Sequence, residues 1–140
     1  MEQRLTLITL GVKDLKIAED FYSNVIGWKK FGYSNEHIIF YALNGIQLAL
    51  HPIEKLAEDA KVNYSEVSFR GFTLAYNTTS IEEVDQLFAE MKAKNVTIVK
   101  PPEEVSWGGY SGYFSDPDGN LWEVAYNPFL QLDAKGNTIN

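Results

Sequence analysis

The chain has 140 residues, no cysteine, an apolar content of 45% and a formal net charge of -7. That length supports one well-packed core and is short for two ordinary domains, while the missing cysteines exclude disulfides, thiol nucleophiles and thiolate metal sites together. No apolar run approaches the roughly 18 residues of a membrane span, no basic-then-apolar leader opens the chain, and without a Lys/Arg cluster an acidic protein repels phosphate backbones. The expectation is a cytoplasmic protein that engages neither nucleic acid nor membrane.

Residues 5–12 form a β-rich run. Asp14 then stands at an N-cap position ahead of Leu15, Ala18, Phe21 and Tyr22, whose spacings of three and four predict an amphipathic helix ending at Gly27. Strands are predicted at 28–33, 38–43 and 47–51, with Asn44-Gly45 as a two-residue hairpin turn between the last two. Pro52 suits the first turn of a short helix to about Ala60, and a polar linker runs on to Arg70.

From Gly71 the order strand, helix, three strands begins again. Residues 72–76 (FTLAY) lie over 8–12 (ITLGV), and Val84, Leu87 and Phe88 lie over Ala18, Phe21 and Tyr22. Ser80 caps the second helix with Glu83 completing a capping box, Lys94-Asn95 end it, 96–99 reads as a strand and Pro101-Pro102 break that strand. The closing hairpin joins strands at 109–114 and 121–126 through Asp116-Pro117-Asp118-Gly119. In its second strand, period 2 puts Leu121, Glu123 and Ala125 on one face and Trp122, Val124 and Tyr126 on the other. Glu123 is then either a solvated carboxylate on a half-buried sheet or one aimed into a cavity.

A strand, then DPDGN, then an apolar-x-Glu-apolar strand resembles the closing hairpin of the vicinal oxygen chelate superfamily, which holds glyoxalase I, extradiol dioxygenases and bleomycin-binding resistance proteins. The opening strand, Phe21-Tyr22 and Ile26-Gly27-Trp28 are similar to its first strand, helix and "FY…LGW" junction. The resemblance implies an α+β fold: two βαβββ modules forming one curled eight-stranded mixed sheet around a central cavity, helices outside. Residues 1–128 make this single domain, with modules at about 1–52 and 71–128, a linker at 53–70 and a tail at 129–140.

In metal-dependent members four strands each aim a ligand inward. Carried over by resemblance, these positions are Leu7, Gln47, one of Gly71, Phe72 and Thr73 (Thr73 preferred, because its face opposes the helix) and Glu123. Only Gln47 and Glu123 can coordinate, so no metal and no cofactor are expected. His51 shares a face with Gln47 and Ala49, and His37 lies at a loop boundary; neither is expected as a ligand. The inward faces should present Leu7, Thr9, Gly11, Gln47, Ala49, Thr73, Ala75, Asn77, Glu123 and Asn127. Trp107, Gly108, Gly109 and Tyr110 stand at one mouth, where paired glycines either let a flat ligand stack or merely make a bend.

The ligand-binding set is therefore Leu7, Thr9, Gln47, Ala49, Thr73, Asn77, Trp107, Tyr110, Glu123 and Asn127, with Glu123 the catalytic candidate. The first functional expectation is a metal-independent binding protein for a small, partly aromatic or amphipathic molecule. The second is a glyoxalase-like lyase, isomerase or dioxygenase using Glu123 as acid/base or residual metal ligand; the third is a scaffold with a vestigial pocket. A homodimer is expected, with cover for the apolar tail residues Phe129, Leu130 and Leu132. The alternative for that tail is a small hairpin turning at Lys135-Gly136-Asn137.

Overall fold

The computed structural model describes residues 7–59, 64–65, 70, 72–106 and 108–138. It divides into two compact units, Met1–Ser68 and Phe69–Asn140, each with its own sheet.

In the first unit β1 (Leu7–Val12) pairs in parallel with β3 (Gln47–Pro52), which pairs antiparallel with β2 (Ile39–Ala42). Residues 28–33, expected as a full strand, contribute one bridge between Lys30 and Tyr41. Asp14 caps α1 (Leu15–Asp20) by accepting from the amides of Lys16 and Ile17 at 2.9 and 3.0 Å, and a π-helical turn (Phe21–Val25) carries the helix toward Gly27 at φ 89°. Alternation sends Leu10, Val12, Ile39, Tyr41, Leu48 and Leu50 to one face, all buried, where Ala18, Phe21 and Tyr22 are also buried. Tyr22 stacks on Trp28 and tilts against Tyr41. The Tyr41 hydroxyl, pushed up in pKa by burial, shares a 3.0 Å hydrogen bond with Ser23. The short α2 (Ile53–Asp59) follows Pro52 directly and buries none of its residues fully.

The second unit orders its strands β4-β7-β6-β5: β4 (Leu74–Thr78), β5 (Thr97–Glu104), β6 (Tyr110–Ser115) and β7 (Leu121–Tyr126). Ser80 caps α3 (Ile81–Ala93), accepting from the Glu83 amide at 3.3 Å, while the Glu83 carboxylate reaches back one residue further than expected, to the amide and hydroxyl of Thr79. That bonding lowers the Glu83 pKa. Asn95 at φ 57° and a Val96 amide donating to the Met91 carbonyl end the helix. Val84, Phe88 and Met91 bury its inner stripe.

Among the described residues the strands form two mixed sheets, of three and four strands. Pro101 and Pro102 do not end their strand: β5 is a sheet edge, and shifts in register between Ile98 and Lys100 and between Lys100 and Glu103 absorb the missing donors. The tail adopts the hairpin alternative, with a bridge between Leu132 and Thr138. The linker expected at 53–70 begins as α2 and otherwise falls largely outside the described residues.

Candidate functional site

The face of the first sheet turned away from Tyr22 carries Leu7, Thr9 and Gly11 beside their parallel partners Gln47, Ala49 and His51. Phe40 sits across from Ala49 on the other side. Tyr33 stands edge-on to both Phe31 and Phe40, with ring centroids 4.7 and 4.8 Å apart, and donates its hydroxyl hydrogen to Gln47 Oε1 at 2.6 Å. Leu7, Phe31 and Tyr33 are nevertheless 38%, 39% and 51% exposed. Ala49 is fully buried, and Thr9 is half-buried beside it. An exposed aromatic wall with a pinned amide at its centre is the result.

In the second sheet, pairing registers place Ala75, Glu123, Tyr113 and Lys100 in one row across all four strands. Burial first, then the charge of Glu123 and a hydrogen bond with it, raise the Tyr113 hydroxyl above the ordinary tyrosine range. Lys100 is paired with Glu103 at 2.9 Å. Asn77 and Ala125 form the neighbouring row with Ser111, and Thr73 lies exposed just before the strand.

The hairpin that delivers Glu123 is held by a buried turn. Asp116 Oδ1 accepts from the amides of Asp118 and Asn120 at 3.0 and 2.8 Å, and Oδ2 accepts from Asn120 Nδ2 at 2.7 Å. Gly119 at φ 78° makes the bend, and Arg70 donates to Asn120 Oδ1 at 3.0 Å.

Other expected site residues are committed elsewhere. Tyr110 pairs with Tyr126 on the opposite face from Glu123, and its hydroxyl donates to Asp85 of α3 at 2.8 Å, which raises its pKa. Asn127 Oδ1 accepts from the Phe129 amide at 2.9 Å and holds the turn into the tail. Gly108 and Gly109 close a tight turn with Val105, with Gly108 at φ 91° and the Phe129 ring nearby. Trp107, and Gly71 among the metal positions, lie outside the described residues. His51 Nδ1 is bonded to the His37 carbonyl at 3.0 Å, beside a cleft of about 450 Å³ that also includes Glu36 and Lys55.

Leu7 is the direct partner of Gln47, and the equivalent partner of Glu123 is Ala75, two residues beyond Thr73 on the same face. Within each unit the pair does not fit a metal: Leu7 and Ala75 are apolar, and Gln47 Oε1 already accepts from Tyr33. Among the described residues no three His, Cys, Asp or Glu side chains converge.

The sequence reading missed Tyr33, Phe31, Phe40 and Tyr113. Tyr113 was within reach of it, since counting back across the Asp116–Asn120 turn pairs residue 113 with 123.

Residues 4–124 match the Glyoxalase/Bleomycin resistance protein/Dioxygenase superfamily. A glyoxalase-related enzyme from Fulvimarina pelagi is 34% identical, with a TM-score of 0.87 and 99% of each chain covered. Metallothiol transferase FosB of Lysinibacillus sphaericus (strain C3-41) is 27% identical over 122 residues, spanning 86% of this chain and 80% of that protein. Lactoylglutathione lyase from Agrobacterium tumefaciens, at 22% identity and a TM-score of 0.71 over 91% of this chain and 96% of its own, shares the fold. Strand order, module repeat and sequence agree, and the chain belongs to the Glyoxalase/Bleomycin resistance protein/Dioxygenase superfamily.

Proposed function

We propose that the protein binds a small, planar, partly aromatic molecule without a metal. What carries this reading is the apolar wall of exposed Leu7, Phe31 and Tyr33 and half-buried Phe40 around the Gln47 amide. Stacking on such a wall contributes about 0.5–1.5 kcal/mol per ring pair beyond area burial. Thr9 and Ala49 line the floor of that face. In the second unit Asn77 and Glu123 offer amide and carboxylate groups on one face, and Thr73 adds a hydroxyl just before that strand.

An enzymatic reading is favoured by one observation, the position of Tyr113 directly across from Glu123 in the β6–β7 pair. A donor and an acceptor side by side suit proton transfer, with Glu123 as acid/base in a lyase or isomerase step. The relative from Fulvimarina pelagi is described as an enzyme, which supports the same alternative.

Pairing of two chains belongs to the first proposal, because Phe129 is 77% exposed on the second unit. Light scattering of full-length protein and of a chain ending at Pro128 tests it; a monomer in both removes the dimer. For ligand binding, the native mass spectrum of freshly purified protein is compared with the denatured one. The expected result is an organic mass lost on denaturation, and a wall that takes no planar aromatic at millimolar concentration would overturn the reading.

A further inference from the structure

We propose that Asn44-Gly45, in the turn joining β2 to β3, is a modification site: in the folded protein Asn44 converts to aspartate and isoaspartate through a cyclic imide formed with its own backbone. The chemistry uses neither Gln47 nor a bound ligand, so it stands apart from the ligand-binding reading.

The Gly45 backbone nitrogen gives up its proton to solvent and bonds to Asn44 Cγ, and the side-chain nitrogen leaves as ammonia. Water then opens the imide ring. Breaking the Cγ–N bond gives aspartate in the ordinary chain, whereas breaking the backbone C–N bond gives isoaspartate, whose chain runs on through Cγ. Water enters, ammonia leaves, nothing is oxidised or reduced, and the turn gains one negative charge.

Ring closure needs a following residue whose amide can reach the side chain, and glycine, lacking a Cβ, obstructs that approach least. Asn44 is the one asparagine in the sequence that glycine follows. Both residues are exposed and lie outside the strands, and a Cβ built on Gly45 would meet nothing within 4 Å. Among the described residues no backbone hydrogen bond holds the Gly45 amide; the bond that closes the turn runs from the Leu43 amide to the Ile46 carbonyl at 2.9 Å.

A second dipeptide can close the same ring, and the fold treats it differently. Gly119 of Asp118-Gly119 shares the open surroundings and has φ 78° against 77° for Gly45, but its amide donates to the Asp116 carbonyl at 3.0 Å. The Asp118 amide is also held, by Asp116 Oδ1 at 3.0 Å, and Asp116 and Asn120 are buried. The attacking nitrogen is thus committed at Gly119 and available at Gly45. Isoaspartate at 44 would add a backbone carbon between Ala42 and Gln47, which pair directly across the hairpin, so the Leu43–Ile46 bond should be the first lost.

The test incubates full-length protein in mildly alkaline buffer made with heavy-oxygen water and maps its peptides over time by tandem mass spectrometry. Residue 44 should lose ammonia and take up one labelled oxygen, in both linkages, at least about tenfold faster than any other asparagine. Synthetic peptides covering 41–48 and 115–122 give the unrestrained rates. The folded protein should modify Asn44 within about tenfold of its peptide and slow isomerisation of Asp118 by more than about tenfold relative to its own. Asn44→Gln, checked for folding by circular dichroism, should abolish the added charge at the turn. Asn44 slowed more than about tenfold below its peptide, or another asparagine reacting first, would overturn the proposal, and Asp118 isomerising at its peptide rate would overturn the role given to the glycine amide.

Discussion

The two units use one strand plan for different ends. In each, the first strand runs parallel to the last and a donor residue sits at an equivalent register, Gln47 beside Leu7 and Glu123 beside Ala75. The first unit surrounds its neutral amide with exposed aromatic rings, whereas the second sets its carboxylate in a row with Tyr113 and Lys100. The difference teaches that the duplicated scaffold constrains where a polar group can point and leaves its chemistry free. One half is built for apolar contact and the other for charge.

The comparison breaks hardest at the glycines that let strand and helix approach. A Cβ on Gly112 would meet Phe88 Cζ at 2.6 Å and, at 2.8 Å, both the Lys100 carbonyl oxygen and the Pro102 nitrogen, two of them backbone atoms. On Gly11 its three nearest atoms would all belong to the Ile53 side chain, the first at 2.7 Å, from a helix without a fully buried residue. Gly112→Val should lower stability by about 3 kcal/mol or more and Gly11→Ala by about 1 kcal/mol, read from urea midpoints. Equal losses would mean that α2 is held as firmly as α3.

A smaller effect separates two copies of one turn, both inside the second unit. Asp133, Gly136 and Asn137 repeat the bonds of Asp116, Gly119 and Asn120: Oδ1 to the amides two and four residues on, Oδ2 to the asparagine Nδ2, and glycine at φ 78°. Asp116 and Asn120 are buried, whereas Asp133 is exposed. Asp116→Ala strands buried donors and should cost about 2 kcal/mol of global stability. Asp133→Ala should leave the urea midpoint unchanged and speed amide exchange only at 132–138.

The smallest effect is a pH dependence of that exposed copy. Hydrogen bonds from Asn137 and Lys135 lower the Asp133 pKa below its unfolded value, so its contribution is present above the ordinary aspartate range and is lost as pH falls through the lowered value. Amide shifts of residues 132–138 should therefore hold steady down to about pH 4 and move below it. Movement beginning near neutrality would contradict the assignment.

Much of this was legible in the residues. Alternation in residues 121–126 set the Glu123 face, and Asp14, Ser80 and Asn95 marked helix ends through local bonds that need no tertiary context. Register was less legible. Thr73 was preferred as the inward position from the alignment of 72–76 with 8–12, whereas the residue that pairs with Glu123 is Ala75, because parallel partners are set by long-range bonds that a one-strand pattern does not contain. Tyr110 was assigned to a mouth by its nearness to Gly108 and Gly109, yet one residue of alternation turns it toward Asp85. The aromatic wall was hidden for the same reason: Phe31, Tyr33 and Phe40 come together only once Lys30 bridges Tyr41.

The central claim, metal-free recognition of a planar molecule by the Tyr33–Gln47 wall, is tested most directly by titrating chelator-treated protein with 1-naphthol and following amide and side-chain resonances by NMR. The account predicts saturable shifts at Leu7, Phe31, Tyr33 and the Gln47 side-chain amide, unchanged when Zn2+ or Ni2+ is added. Shifts at those residues that appear only with the metal present, or none at all up to millimolar 1-naphthol, would contradict it.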